Sequence, residues 1–226
     1  MIKRIETIKF IFFDILTSIS SWILFFMFRK KLENQAFELL DHSLIKGCIV
    51  ICVFWISIYT LSGKYQNVLR ASRLQEFYKT INQTIIGCII IFFILIIDDI
   101  EYQTNYNYYY KSILFLFTTH FALTFLFRYI LTYRIVKKIE KGNIGFSTIL
   151  IGSSKKAINI YNQIMDLPRS SGYKLIGLVE TSEQKNNFFS KKLKKLGTLS
   201  NLEQIIKYKQ IDVAIIAVEN EEFVLI

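Results

Sequence analysis

Residues 81–97 contain the run Ile85-Ile86-Gly87-Cys88-Ile89-Ile90-Ile91-Phe92-Phe93-Ile94-Leu95-Ile96-Ile97, nearly pure in Ile, Phe and Leu. A helix needs about 20 mostly apolar residues to cross the hydrocarbon core of a bilayer, so this stretch is predicted to span a membrane. Three similar stretches accompany it. Residues 8–28 are interrupted by Asp14 and several serines, residues 44–61 are shorter, and residues 112–131 carry His120 near the middle and Arg128 near the end. Short connections between the four predict an antiparallel transmembrane bundle over residues 1–131.

Composition agrees. The chain has 226 residues, 52% of them hydrophobic, with a mean hydropathy of +0.35, more apolar than an ordinary soluble domain of that length. Beyond Thr132 the apolar runs become short and are separated by Lys, Asn and Ser. That shift predicts a basic linker at 132–145 and a soluble segment at 146–226. The formal net charge of +10 comes without a recognition motif, which argues against nucleic acid. The basic residues instead flank the apolar blocks, as in the cytoplasmic loops of membrane proteins. With the N-terminus inside, the inner segments hold Lys3, Arg4 and Lys9, then Lys64, Arg70, Arg73 and Lys79, then Arg134, Lys137, Lys138 and Lys141. The outer segments hold Arg29, Lys30, Lys31, Lys46 and little beyond Lys111. The loop at 98–110, with three acids, five tyrosines and no Lys or Arg, suits an outer interfacial belt. Both ends are therefore expected to face the cytoplasm.

Ionisable groups inside such spans are expensive and are functional candidates by default. Asp14 and His120 qualify, although a hydrogen bond to a neighbouring helix would also account for each. Too few polar breaks interrupt the helices for a transporter or channel. Cys48, Cys52 and Cys88 all lie in apolar blocks; an odd count there argues against a disulfide framework, and no further ligands stand near them to make a metal site.

In the soluble segment, Phe146-Ser147-Thr148-Ile149-Leu150-Ile151 reads as a buried parallel strand ending at Gly152. A helix-period segment follows to about Asp166, then a second strand at 173–179 ending at Glu180. Ser200-Asn201-Leu202-Glu203 has the form of a capping box, predicting a short helix, and 211–218 is a third strand. Strand, helix, strand, helix, strand is the Rossmann-like order. The first turn of that fold offers backbone N–H groups and a helix N-terminus to phosphate. Here it is Gly152-Ser153-Ser154-Lys155-Lys156-Ala157, which matches G-x-G-x-x-G/A at Gly152 and Ala157 but has Ser154 at the second glycine. Glu180 stands where an acid often meets a ribose, 28 residues after Gly152 against a usual spacing of about 20. Gly152, Ser153, Ser154 and Glu180 are therefore the candidate nucleotide-binding residues. A ligand-free structural or regulatory remnant of the fold is the alternative. The soluble segment has no His and no Cys, so a Ser-His or Cys-His pair cannot arise in it. It also ends soon after its third strand, as an incomplete doubly wound sheet would.

The order of parts resembles the N-terminal half of bacterial polyprenyl-phosphate sugar phosphotransferases, the initiating enzymes of exopolysaccharide and O-antigen synthesis. The stretches that carry the likeness in the bundle are Phe13-Asp14, Trp22-Ile23-Leu24-Phe25-Phe26 with Arg29-Lys30, and Ser62-Gly63-Lys64-Tyr65 through Leu69-Arg70-Ala71-Ser72-Arg73-Leu74-Gln75-Glu76-Phe77. In the soluble segment they are Ile149-Leu150-Ile151-Gly152, Gly172-Tyr173-Lys174-Leu175-Ile176-Gly177, Leu196-Gly197-Thr198 and Asp212-Val213-Ala214-Ile215-Ile216-Ala217. The resemblance implies transfer of a sugar 1-phosphate from a UDP-sugar to undecaprenyl phosphate with Mg²⁺, and a homo-oligomer. In that family the chemistry belongs to a C-terminal catalytic domain with an Asp-Glu pair and a re-entrant helix. This sequence has no such region, so no catalytic residue carries over and the chain alone is expected to be inactive, with no cofactor of its own. A membrane-bound nucleotide-sugar dehydratase or epimerase shares the same front half, and a non-enzymatic membrane-tethered nucleotide sensor is the third alternative.

Overall fold

The computed structural model describes residues 2–32, 34–36, 41–98, 107–181 and 192–218. Helices dominate, and the chain divides into two compact units, Met1–Val136 and Lys137–Ile226.

The first unit is built from α1 (Ile2–Leu32), α2 (His42–Leu61), α3 (Arg73–Asp98) and α4 (Asn107–Glu140), the last of which runs on into the second unit. All four are long and apolar enough to cross a membrane. Their contacts run in opposite senses along successive helices. Trp22 of α1 lies against Gly47 of α2 while Ile15 meets Cys52. Trp55 of α2 covers Gly87 of α3 while Ser62 meets Gln83. Phe92 of α3 contacts Tyr110 of α4 while Phe77 contacts Phe125. Helices α1 and α4 close the ring the same way, through Asp14 with Arg128 and Ser21 with His120. The result is an antiparallel bundle.

All four helices contribute to its apolar core: Phe25, Ile51, Trp55, Tyr59, Cys88, Ile91 and Leu116. Two glycines make it this close. Any side-chain atom at Gly47 would collide with the Trp22 indole, and any at Gly87 with the Trp55 ring, so each glycine is a notch that seats the tryptophan of the preceding helix. The outward faces are apolar as well, with Ile8, Val50, Ile86 and Phe93 all exposed. A helix apolar all round belongs in a protein core or in lipid.

Each helix is longer than its apolar block. α3 starts eight positions before the predicted span because Glu76 and Thr80 in its first turns are buried in the bundle. The stretch at 132–145, read as a linker, is helical as far as Glu140. Thr132 and Ile135 are buried there, so packing continues past the hydrophobic block. The tyrosine-rich loop expected at the outer side falls mostly outside the described residues.

The second unit holds β1 (Phe146–Ile151), α5 (Lys155–Met165), β2 (Tyr173–Glu180), β3 (Lys195–Thr198), α6 (Leu202–Lys209) and β4 (Val213–Ile216). The strands pair in parallel in the order β3-β2-β1-β4. Side-chain alternation on β1 sends Leu150 to a core with Ala157, Ile158 and Tyr161 of α5. Ile149 and Ile151 go to the opposite core, with Leu202 and Ile205 of α6. The sheet thus carries a helix on each face.

Among the described residues four parallel strands stand where three were expected. β3 is four residues long, too short to show a period, and its Leu196 packs into the space left by the missing side chain of Gly177 on β2. The capping box does not form: Ser200 lies in a 3₁₀ turn, Leu199–Asn201, and α6 begins at Leu202 without a side-chain cap. The third predicted strand shortens to Val213–Ile216, and residues 219–226 lie outside the described part.

The notch at Gly87 makes a direct prediction. Gly87→Ala should destabilise the detergent-solubilised bundle by about 1–3 kcal/mol, the usual cost of overpacking, read as an earlier unfolding transition by circular dichroism. Trp55→Phe in the same chain should recover part of the loss, because it removes the ring atoms the new methyl would strike.

Candidate functional site

The polar side chains of the bundle converge on one layer. Arg128, on α4, is 1% exposed and grips Asp14 of α1 with two parallel bonds, Nε to Oδ1 at 2.8 Å and Nη2 to Oδ2 at 3.0 Å. This fork geometry is the strongest form of a charged hydrogen bond. Its Nη1 donates to Thr80 Oγ1 at 3.2 Å and to Gln83 Oε1 at 2.9 Å, both on α3. The guanidinium also lies 4.0 Å from the centre of the Tyr59 ring of α2. One side chain therefore touches the other three helices.

The α2–α3 connection completes the layer. Gly63, at φ +67°, ends α2 with a bond from its N–H to the Thr60 carbonyl (3.0 Å). Only glycine adopts this conformation readily, and it turns the next residues back into the bundle. Lys64 follows, buried, forming an ion pair with Glu76 of α3 and resting its ammonium 4.5 Å from the Phe10 ring. Tyr65 donates its hydroxyl to Asp14 Oδ2 at 2.8 Å. Burial lowers the Lys64 ammonium to about 8, helped by the like charge of Arg128 and opposed by Glu76. Burial and the Asp14 carboxylate push the Tyr65 phenol upward.

Deeper in the bundle, His120 is held from both sides. Its Nδ1 lies 2.8 Å from Ser21 Oγ and its Nε2 lies 2.8 Å from Tyr59 Oη, while its ring stacks on Trp55 at 3.8 Å. Ser21 donates its own hydrogen to the Ser18 carbonyl. A consistent pattern then puts the imidazole proton on Nδ1, donated to Ser21, and leaves Nε2 to accept from Tyr59. Asp14 and His120 therefore both bond to neighbouring helices. Ser21, Tyr59, Tyr65, Lys64, Glu76, Thr80 and Gln83 were not among the sequence candidates. A usable signal was present for one partner: Arg128 and Asp14 lie at matching depths on antiparallel helices.

The nucleotide candidates sit in the second unit, at the carboxyl ends of its strands. Ile151 is in register with Val179, and Gly152 N–H donates to the Val179 carbonyl at 2.9 Å, so Gly152 and Glu180 occupy adjoining strand ends. Gly152 has φ +116°, and a side chain there would strike the Ala217 carbonyl. Ser153 is buried. Ser154 caps α5 by position, yet its hydroxyl donates to Ala217 O at 3.2 Å rather than to the helix. Lys156 reaches the Val218 carbonyl at 3.3 Å. Glu180 is paired with Lys195 at 2.5 Å. All four candidates are brought to one sheet edge, but Ser154 and Glu180 are engaged by the chain itself.

The buried carboxylates of the bundle are each committed to a cation. Among the described residues no three of His, Cys, Asp and Glu converge as metal ligands. No protein-family model matches the chain, and no curated protein matches it significantly.

Removing one partner of a buried ion pair costs about 3–5 kcal/mol, because the other charge stays buried alone. Asp14→Asn and Arg128→Gln should each destabilise the bundle on that scale. The double variant should lose clearly less than the two single losses added together, read from unfolding transitions of all four proteins in the same detergent.

Proposed function

We propose that the chain is a multi-pass protein of a bacterial cytoplasmic membrane. In this reading it is the anchoring and regulatory part of a sugar transferase that moves a sugar 1-phosphate from a UDP-sugar to undecaprenyl phosphate in exopolysaccharide or O-antigen synthesis. The bundle is the anchor, and the parallel sheet is a Rossmann-like unit that serves as a nucleotide-type regulatory segment at the inner face.

One observation carries this reading. The antiparallel order places the start of α1, the α2–α3 connection and the far end of α4 at the same end of the bundle, and the basic residues of the sequence concentrate there. The positive-inside rule makes that end cytoplasmic. The sheet begins at Phe146, soon after α4 ends at Glu140, and so emerges on the side where nucleotide sugars are found. The chemistry of transfer rests on family resemblance, and catalytic residues are assigned to no position of this chain.

A second reading draws on a separate observation. Because Ser154 and Glu180 are bonded within the chain, the sheet also suits a ligand-free scaffold that positions partner domains.

Single cysteines placed at Gln66 and at Gln35, in a chain with Cys48, Cys52 and Cys88 replaced, separate the two ends of the bundle. In intact bacterial cells a membrane-impermeant thiol reagent should label position 35 and spare position 66. Labelling of 66 alone would overturn the orientation. Titration of the purified chain with a UDP-sugar in a calorimeter then divides the two readings: heat of binding lost in Glu180→Ala supports the nucleotide segment, and no heat supports the scaffold.

A further inference from the structure

One face of α4 carries an aromatic residue at every fourth position: Phe117, Phe121, Phe125, Tyr129 and Tyr133. Residues four apart lie one above another on a helix, and these rings form a continuous column. Successive centroids are 6.1, 5.7, 5.9 and 6.5 Å apart. Phe77 of α3 meets Phe121 and Phe125 edge-on at 5.8 and 5.4 Å. At the inner end of the column the Arg73 guanidinium lies 4.9 Å from the Tyr133 ring centre. At the other end Phe117 enters an apolar groove of about 440 Å³ between α3 and α4, lined also by Cys88, Phe92 and Tyr110.

The column is only half covered by the chain. Phe77, Tyr129 and Tyr133 keep 36–38% of their surface exposed, and Arg73 is exposed beside them. A row of rings presents an apolar strip, and an arginine over an aromatic face holds its charge at one place while keeping donors turned outward.

Resting on the membrane reading above, we infer that this face is a binding site for an anionic phospholipid of the inner leaflet. Its phosphate lies against Arg73 and one acyl chain runs along Tyr133, Tyr129, Phe125 and Phe77 towards the groove. Charge decides the occupant. A second copy meeting this face about a two-fold axis along the membrane normal would bring equivalent residues together at equal depth, placing one Arg73 against the other. A phosphate-bearing lipid instead neutralises it.

Native mass spectrometry of the intact chain with defined lipids tests the site. The wild-type chain should retain phosphatidylglycerol at least five-fold more tightly than phosphatidylcholine. Arg73→Gln should abolish that preference, whereas Lys79→Gln, on a different face of α3, should leave it unchanged. Phe121→Ala with Phe125→Ala should weaken retention of both lipids while keeping the preference. Equal effects of Arg73→Gln and Lys79→Gln, no preference in the wild type, or a dimer that forms in place of lipid binding would each overturn the site. Failure of the membrane reading would look different: the wild-type chain would then stay out of the membrane fraction of cells.

Discussion

An arginine buried among four apolar helices has to satisfy its charge inside the protein, and the shape of this bundle follows from how Arg128 does so. Its fork meets Asp14 on α1, its remaining donors meet Thr80 and Gln83 on α3, and its face rests on Tyr59 of α2. Apolar contacts alone would let helices slide or rotate past one another at small cost, since one Ile–Leu contact is much like the next. A bidentate charge pair tolerates neither motion. The network therefore fixes depth and rotation together, the register role for which buried polar groups are best attested.

The glycine notches act alongside that network. Gly47 and Gly87 let Trp22 and Trp55 close against the next helix, and the same Trp55 ring supports His120 from below. Polar and apolar fixings thus share residues. Tyr59 is the clearest case, bonded to His120 by its hydroxyl and covered by Arg128 on its ring. A change at one such residue should be felt at several layers, which is why polar residues inside this bundle are better understood as one constellation than as isolated candidates.

In the sheet unit a similar economy closes the strand ends. The turn after β1 has the glycine conformation that the fold requires, but the hydroxyl and lysine that follow bond to the end of the β4 segment. Glu180 pairs with Lys195 from the neighbouring strand. Gly152, Ser154 and Glu180, three of the residues that sequence reasoning selected for a ligand, bond to neighbouring strand ends, and a ligand at this edge would have to exchange the side-chain bonds for its own.

The sequence by itself indicated the four long helices found among the described residues, because apolar runs of that length are far longer than a strand. It also indicated β1, α5, β2, α6 and β4 in their order, though not β3 between them, and the position of the turn at Gly152, since buried strands and glycine turns leave local signatures. It could not determine where the helices end, because Thr132 and Ile135 are buried by neighbours rather than by their own pattern. Nor could it show β3, a four-residue strand that exists by pairing with β2. Above all it left Asp14, Arg128, Lys64 and Glu76 as separate residues. Pairing positions 114 residues apart depends on the rotation of packed helices as well as on matching depth, and the rotation is information only the tertiary structure holds.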